Sequence, residues 1–212
     1  MSVHDVSEDS GPGVAAAVAA LRRGDLAVLP TDTVYGIAAD AFSPPAVDRL
    51  LAAKGRGRDM PVPVLVGSWR GLDGLADHVT PTMRSLVEAF WPGPLTVIVR
   101  AAASLAWDLG ETRGTVAVRM PLHPVTLAVL AETGPLAVSS ANRTGQAPAT
   151  DAAQAQEQLT TSVAVYLEAG SSGDAVPSTI LDLTGSTPQV RRAGALGLEE
   201  LQAVIPEVEG AR

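Results

Sequence analysis

Short apolar runs, each giving way at its C-terminal side to a polar loop, are what most constrain the fold of this chain. Leu26–Pro30 opens into Thr31–Gly36, Leu136–Ser139 runs into a loop through Gly145, and Thr115–Met120 carries Arg119 near its tip. Such runs are too short for buried helices and fit buried strands. Val62–Val66, Leu95–Val99, Val163–Leu167, Thr179–Leu183 and Gln189–Arg191 read as strands for the same reason. The segments between them carry helix punctuation. Gly13–Arg23 is alanine-rich, ends in a basic turn and stops at Gly24. Ser43 before Pro44 and Pro45, and Thr80 before Pro81, are N-cap and first-turn signals for helices over 46–53 and Thr80–Trp91. Pro124–Glu132, Asp151–Leu159 and Leu198–Val204 complete the set.

Strands alternating with helices specify an α/β layer fold. The last three strands have no helix between them, so the sheet is expected to be mixed, open and twisted, with flanking helices. The 212 residues fit one domain, placed at 13–206, with 1–12 and 207–212 expected as flexible tails. The chain has no cysteine and only three scattered histidines (His4, His78, His123), which removes thiolate chemistry and leaves no metal cluster to expect. Met1–Pro12 is polar rather than a signal peptide, and no apolar run reaches the ~18 residues of a membrane helix, so a cytoplasmic location is expected.

The net charge of −8 and pI near 4.8 weigh against a nucleic-acid-binding domain. The acids gather near the ends, whereas Lys54, Arg56, Arg58, Arg119, Arg191 and Arg192 sit in apolar or turn-rich surroundings. Lys54 is the only lysine.

Each loop admits two readings. Pro30-Thr31-Asp32-Thr33-Val34-Tyr35-Gly36 is either a turn whose side chains satisfy local amides or a seat for a small polar ligand at a strand's C-terminal end. Lys54-Gly55-Arg56-Gly57-Arg58 is either a basic helix end or a glycine-spaced set of donors for a triphosphate. Ser139–Gly145 and Pro177–Ile180 are either ordinary turns or ligand contacts, and Arg119 needs an anion, internal or bound. His123 before Pro124 reads as the start of a helix rather than a base, and the three tryptophans read as packing. Hydroxyls, cations and glycines without a convincing histidine base fit phosphoryl or nucleotidyl transfer better than a hydrolytic triad.

Six pieces in one order carry a further resemblance: Pro30–Gly36, Lys54-x-Arg56, Val118-Arg119-Met120-Pro121, Ser140-Ala141-Asn142, Pro177-Ser178-Thr179-Ile180 and Arg192-x-Gly194. From about Ala15 to Ile205 the chain resembles the YrdC-domain family of threonylcarbamoyl-AMP synthases. The resemblance implies an α/β sheet around a concave basic site. It also implies condensation of L-threonine, bicarbonate or carbon dioxide, and ATP with Mg2+, releasing pyrophosphate. The product would feed threonylcarbamoyl modification of tRNA by downstream proteins. It assigns Thr31, Thr33, Arg119 and Ser178 to L-threonine. Lys54, Arg56, Arg58, Ser140, Asn142 and Arg192 fall to ATP, with Thr115 near the nucleotide and Lys54 and Arg56 in the catalytic role. The chain departs from the family pattern at Gly57, often proline, and at Leu65, often histidine. The competing reading from another class is an RNA-binding or ribosome-maturation protein, which the acidic pI disfavours. A carbamoyl-transfer module of a larger assembly would use the same fold.

Overall fold

The apolar runs become strands of one mixed sheet in the computed structural model, which describes residues 1–211. Among the described residues the strands are β1 (Ser2–Asp5), β2 (Ala27–Leu29), β3 (Gly36–Asp40), β4 (Val64–Leu65), β5 (Leu95–Arg100), β6 (Thr115–Arg119), β7 (Leu136–Ser140), β8 (Val165–Glu168), β9 (Thr179–Asp182) and β10 (Gln189–Arg192). Their order across the sheet is β1-β8-β2-β3-β7-β4-β6-β5-β9-β10. Parallel pairs (β1 with β8, β2 with β8, β4 with β6, β5 with β9) alternate irregularly with antiparallel ones, and β9–β10 is an antiparallel pair as the absence of a helix between them requires. The helices are α1 (Gly11–Arg22), α2 (Pro44–Lys54), α3 (Gly71–Leu75), α4 (Pro81–Phe90), α5 (Pro124–Thr133), α6 (Ala152–Leu159) and α7 (Leu198–Val204).

Capping follows the sequence in part. Thr80 Oγ1 accepts the N–H of Met83, and Asp151 accepts that of Gln154. Ser43 has the extended backbone of an N-cap but makes no side-chain cap bond, because Pro44 and Pro45 already fix the first turn.

Burial alternates along the strands and sorts the sheet into two faces. One face carries Val28, Ile37, Ala137, Val64, Val97 and Val118 into a core closed by α2, α4, α6 and α7. The other carries Ala27, Leu29, Ala38, Leu65, Leu136 and Val138 against α1 and α5. That second core stops at β4: no residue of β5, β6, β9 or β10 joins it. On that face of those strands Ile98, Thr115, Ala117 and Ile180 are only partly buried, whereas Thr96 and Arg119 are buried beneath the loops of the site. Half of the second sheet face is therefore left without a helix over it.

Several expectations are corrected. Residues 1–12 are not a loose tail: Ser2–Asp5 pairs in parallel with Val165–Glu168, and α1 already begins at Gly11. Residues 207–211 are tied down too, with Val208 only 2% exposed and Glu209 exchanging backbone hydrogen bonds with Pro188 and Val190; Arg212 lies outside the described residues. The polar, four-residue β1 owes its place to main-chain pairing at an edge, which hydropathy does not register. β3, Gly-Ile-Ala-Ala-Asp, was not expected as a strand because alanine and glycine are poor strand formers; burial between β2 and β7 decides it. Trp91 is buried and Trp107 stacks on Phe42, but Trp69 is 41% exposed with Arg70 and Arg84 over its ring.

Candidate active site

Three loops and two strand tips meet beside the uncovered half of the sheet. The first is the turn after β2. Thr31 Oγ1 donates to the Val34 carbonyl at 2.6 Å and accepts the N–H of Thr33, folding the turn on itself. Its hydroxyl also meets that of Thr33 at 3.1 Å. Thr33 Oγ1 then accepts Nη1 of Arg119 at 2.8 Å, and Asp32 Oδ1 accepts Nη2 at 2.6 Å. Gly93 O takes Nε of the same guanidinium at 3.0 Å. Arg119 is thus 6% exposed, tethered on three sides, and still has two of its five N–H groups uncommitted. The anion that a buried arginine requires is supplied internally by Asp32.

The second element is the end of α2. Gly55 adopts a left-handed φ of 62° and stops the helix, so Lys54 is its last residue and lies 3% exposed. Its ammonium donates to Ser140 O (2.5 Å), Asn142 O (2.7 Å) and Asn142 Oδ1 (3.3 Å). Three donors meet three acceptors, so Lys54 stitches the loop after β7 to α2. Thr144 N closes the same junction on Lys54 O. Asn142 is correspondingly occupied, its amide donating to Arg143 O and Gln146 O. The hydroxyl of Ser140, by contrast, has no partner among the described residues. Arg56 lies beyond the glycine and donates to Met60 O, Ser139 Oγ and Pro61 O.

The third element joins β9 and β10. Ser178 and Thr96 share a hydroxyl contact of 2.8 Å, and Arg192 reaches back to Ser178 O and Oγ. Gly194 permits this closeness: a Cβ there would sit 2.3 Å from Pro177 O and 2.5 Å from the Ser178 carbonyl carbon.

Electrostatics link the pieces. Burial first, and the neighbouring Arg56 second, push the Lys54 ammonium down to about 8. Burial also lowers Arg56, Arg119 and Arg192. Arg192 feels Arg56, and Arg119 feels Arg192 in addition to its favourable Asp32. Four cations therefore stand within one another's fields in a chain of net charge −8. Such a cluster is relieved by an anion of several charges.

Not every expected residue joins it. Arg58 is held at the surface by Asp48 and Asp108, which satisfy it without a phosphate. Thr115 opens β6 on the uncovered face, with its hydroxyl donating to Thr112 O rather than to any member of the cluster. Leu65 is buried in the second core, paired with Arg119 and Leu136 across the sheet. Two supporting residues were not singled out from sequence, Asp32 and Thr96, whereas Ser139 opens the Ser139–Gly145 loop already read as a possible ligand contact. Asp32 lay inside a conspicuous motif, and Thr96 is a polar residue in an otherwise apolar strand, which is the signal that could have found it.

The fold is a mixed α/β sheet in which Lys54 and Arg119 are buried and tethered, with Arg56 partly buried and Arg192 exposed. The chain belongs to the Sua5/YciO/YrdC family, whose model, described as telomere recombination, matches residues 19–194. A protein of Mycobacterium tuberculosis is 54% identical over 198 residues, covering 93% of this chain and 91% of its own. The threonylcarbamoyl-AMP synthase of Thiobacillus denitrificans is 33% identical over 91% of this chain and all of its own length. The crystal structure of Pyrococcus abyssi Sua5 complexed with L-threonine superposes with a TM-score of 0.93 at 33% identity, over 99% of this chain and 62% of that longer one.

Proposed function

We propose that this chain is an L-threonylcarbamoyladenylate synthase, joining L-threonine, bicarbonate or carbon dioxide, and ATP. The observation that carries the reading is the cation cluster of Lys54, Arg56, Arg192 and Arg119 beside the uncovered sheet face. Arg119, held by Thr33 and Asp32 with two N–H groups still free, is suited to the carboxylate of L-threonine. Arg56 and Arg192 are suited to the triphosphate, and the Ser140 hydroxyl, without a partner among the described residues, is suited to the same ligand. Lys54 acts there through its field and by holding the Ser140–Asn142 loop.

The amine of threonine captures carbon dioxide as a carbamate. A carbamate oxygen attacks the α-phosphorus of ATP; the new O–P bond forms as the bond to the β-phosphate oxygen breaks, and pyrophosphate leaves. The residues present supply positioning and positive charge, the two things such a displacement needs. Among the described residues no group of three histidines or carboxylates converges on a metal. Magnesium would enter with the triphosphate of ATP and neutralise the charge of the departing pyrophosphate. The product is an activated acyl-adenylate, whose use in threonylcarbamoyl transfer to tRNA fits the same reading. An RNA-binding role would need cations spread along a backbone track, whereas these four are drawn into one another's fields. Pyrophosphate release is expected only when ATP, L-threonine, bicarbonate and magnesium are all present; equal release without threonine would overturn the assignment.

A further inference from the structure

Between Leu95 and Arg100 the strand β5 carries a single polar residue, Thr96, and it is 3% exposed. Its neighbours Leu95 and Val97 point into the first core, so Thr96 turns to the opposite face. Val97 pairs with Val118, and the next step of those two antiparallel strands sets Arg119 beside Thr96 on that face. On the other side of β5, Thr179 pairs with Leu95 and its N–H donates to Pro94 O at 2.9 Å, which fixes Ser178 at the mouth of β9. The Thr96 hydroxyl then lies 2.8 Å from that of Ser178.

Either hydroxyl is able to supply the proton of this bond, but the two orientations differ in what they leave over. With Ser178 as donor, the Thr96 proton has no acceptor, because Thr96 Oγ1 has no other partner among the described residues and the residue is shut off from water. A buried donor left unpaired is costly. With Thr96 as donor, its proton is satisfied. Ser178 Oγ then accepts two bonds, one from Thr96 and one from Arg192 Nη2 at 3.0 Å, which fills both of its lone pairs. Its own proton is left for a ligand, and the cationic donor on the same oxygen polarises it further.

We propose that Thr96 fixes the Ser178 hydroxyl as an obligate donor, so that Ser178 and Arg119 together select a carboxylate on the amino-acid substrate. The inference rests on the reading of that substrate as L-threonine. Arg119 offers two free N–H groups, and Ser178 adds an O–H from the far side of β5. A carboxylate, which only accepts, matches all three; an alcohol or a neutral amide at that point brings protons that find no acceptor. Thr96 is a positioning residue, since it acts through Ser178.

The test uses the full chain with Thr96→Val, which keeps the shape and removes the hydroxyl, Thr96→Ser, which restores it, and Ser178→Ala. Thr96→Val is expected to raise KM for L-threonine about tenfold, while Kd for ATP, titrated without threonine, moves less than about threefold. Thr96→Ser should bring the threonine KM back to within about threefold of wild type. Adding Thr96→Val to Ser178→Ala should leave the threonine KM where Ser178→Ala alone puts it, whereas an effect of packing would add in both backgrounds. NMR of the ligand-free wild type should show a slowly exchanging hydroxyl proton on Thr96 that is lost in Ser178→Ala. Should Thr96→Val fail to fold, those two spectra carry the test. The inference is overturned by a protected hydroxyl proton on Ser178 in place of Thr96, by an unchanged threonine KM in Thr96→Val, or by a Thr96→Val penalty that persists in full without the Ser178 hydroxyl. A wild type that binds ATP but does not respond to L-threonine would instead overturn the substrate reading, and the hydroxyl spectra would still decide which of the two residues donates.

Discussion

Replacing Lys54 by methionine keeps the length of the side chain and removes its charge. The perturbation falls on Ser140 O, Asn142 O and Asn142 Oδ1, which lose their shared donor at a position only 3% exposed. Each charge-assisted bond is worth about 1.5–3 kcal/mol. The three share one ammonium and do not add, so a total loss of roughly 2–4 kcal/mol is expected. For a domain of this size each kcal/mol lowers Tm by roughly 2–4 °C, which gives a fall of about 5–15 °C. ATP affinity should fall less steeply, by about tenfold, because the ammonium acts on phosphates across a distance rather than by contact. Scanning calorimetry supplies the first quantity and nucleotide titration of the folded variant the second. The pH dependence adds a sign check. Lys54 is pushed down to about 8 in the folded chain from 10.5. The folded state therefore binds fewer protons than the unfolded one between those values, and stability gains from this group as pH rises from about 8. Lys54→Met should lose that rise. A variant with Tm within about 2 °C of wild type and ATP affinity lower by a hundredfold would refute the reasoning and make Lys54 a direct phosphate ligand.

Two further substitutions probe the limits of the site. Arg58→Ala removes two exposed ion pairs, each worth about 0–1 kcal/mol, so pyrophosphate release should stay within about threefold of wild type; a loss in kcat/KM for ATP beyond about thirtyfold would return Arg58 to the phosphate site. Gly194→Ala places a methyl group against the Pro177–Ser178 backbone. It should cost about 1–3 kcal/mol of stability and raise KM for both ATP and L-threonine by lifting Arg192 from Ser178, whereas unchanged kinetics would show that Arg192 does not need that contact.

The sequence alone determined the α/β class, most of the element positions and the family of the chain. Those depend on local patterns: apolar runs such as Leu95–Val99, punctuation such as Thr80-Pro81 and Gly55, and a fixed order of short motifs. It also marked Arg119 as an arginine in need of an anion. Only the tertiary structure showed that Asp32 supplies that anion, that Lys54 and Asn142 satisfy each other, and that Arg58 is held by Asp48 and Asp108. The same holds for β1 and for β3. A polar residue has the same composition whether its donors face a ligand or a carbonyl 88 positions away. Which it meets is set by strand order and register across ten strands, and those are fixed by burying two cores at once rather than by any stretch of neighbouring residues.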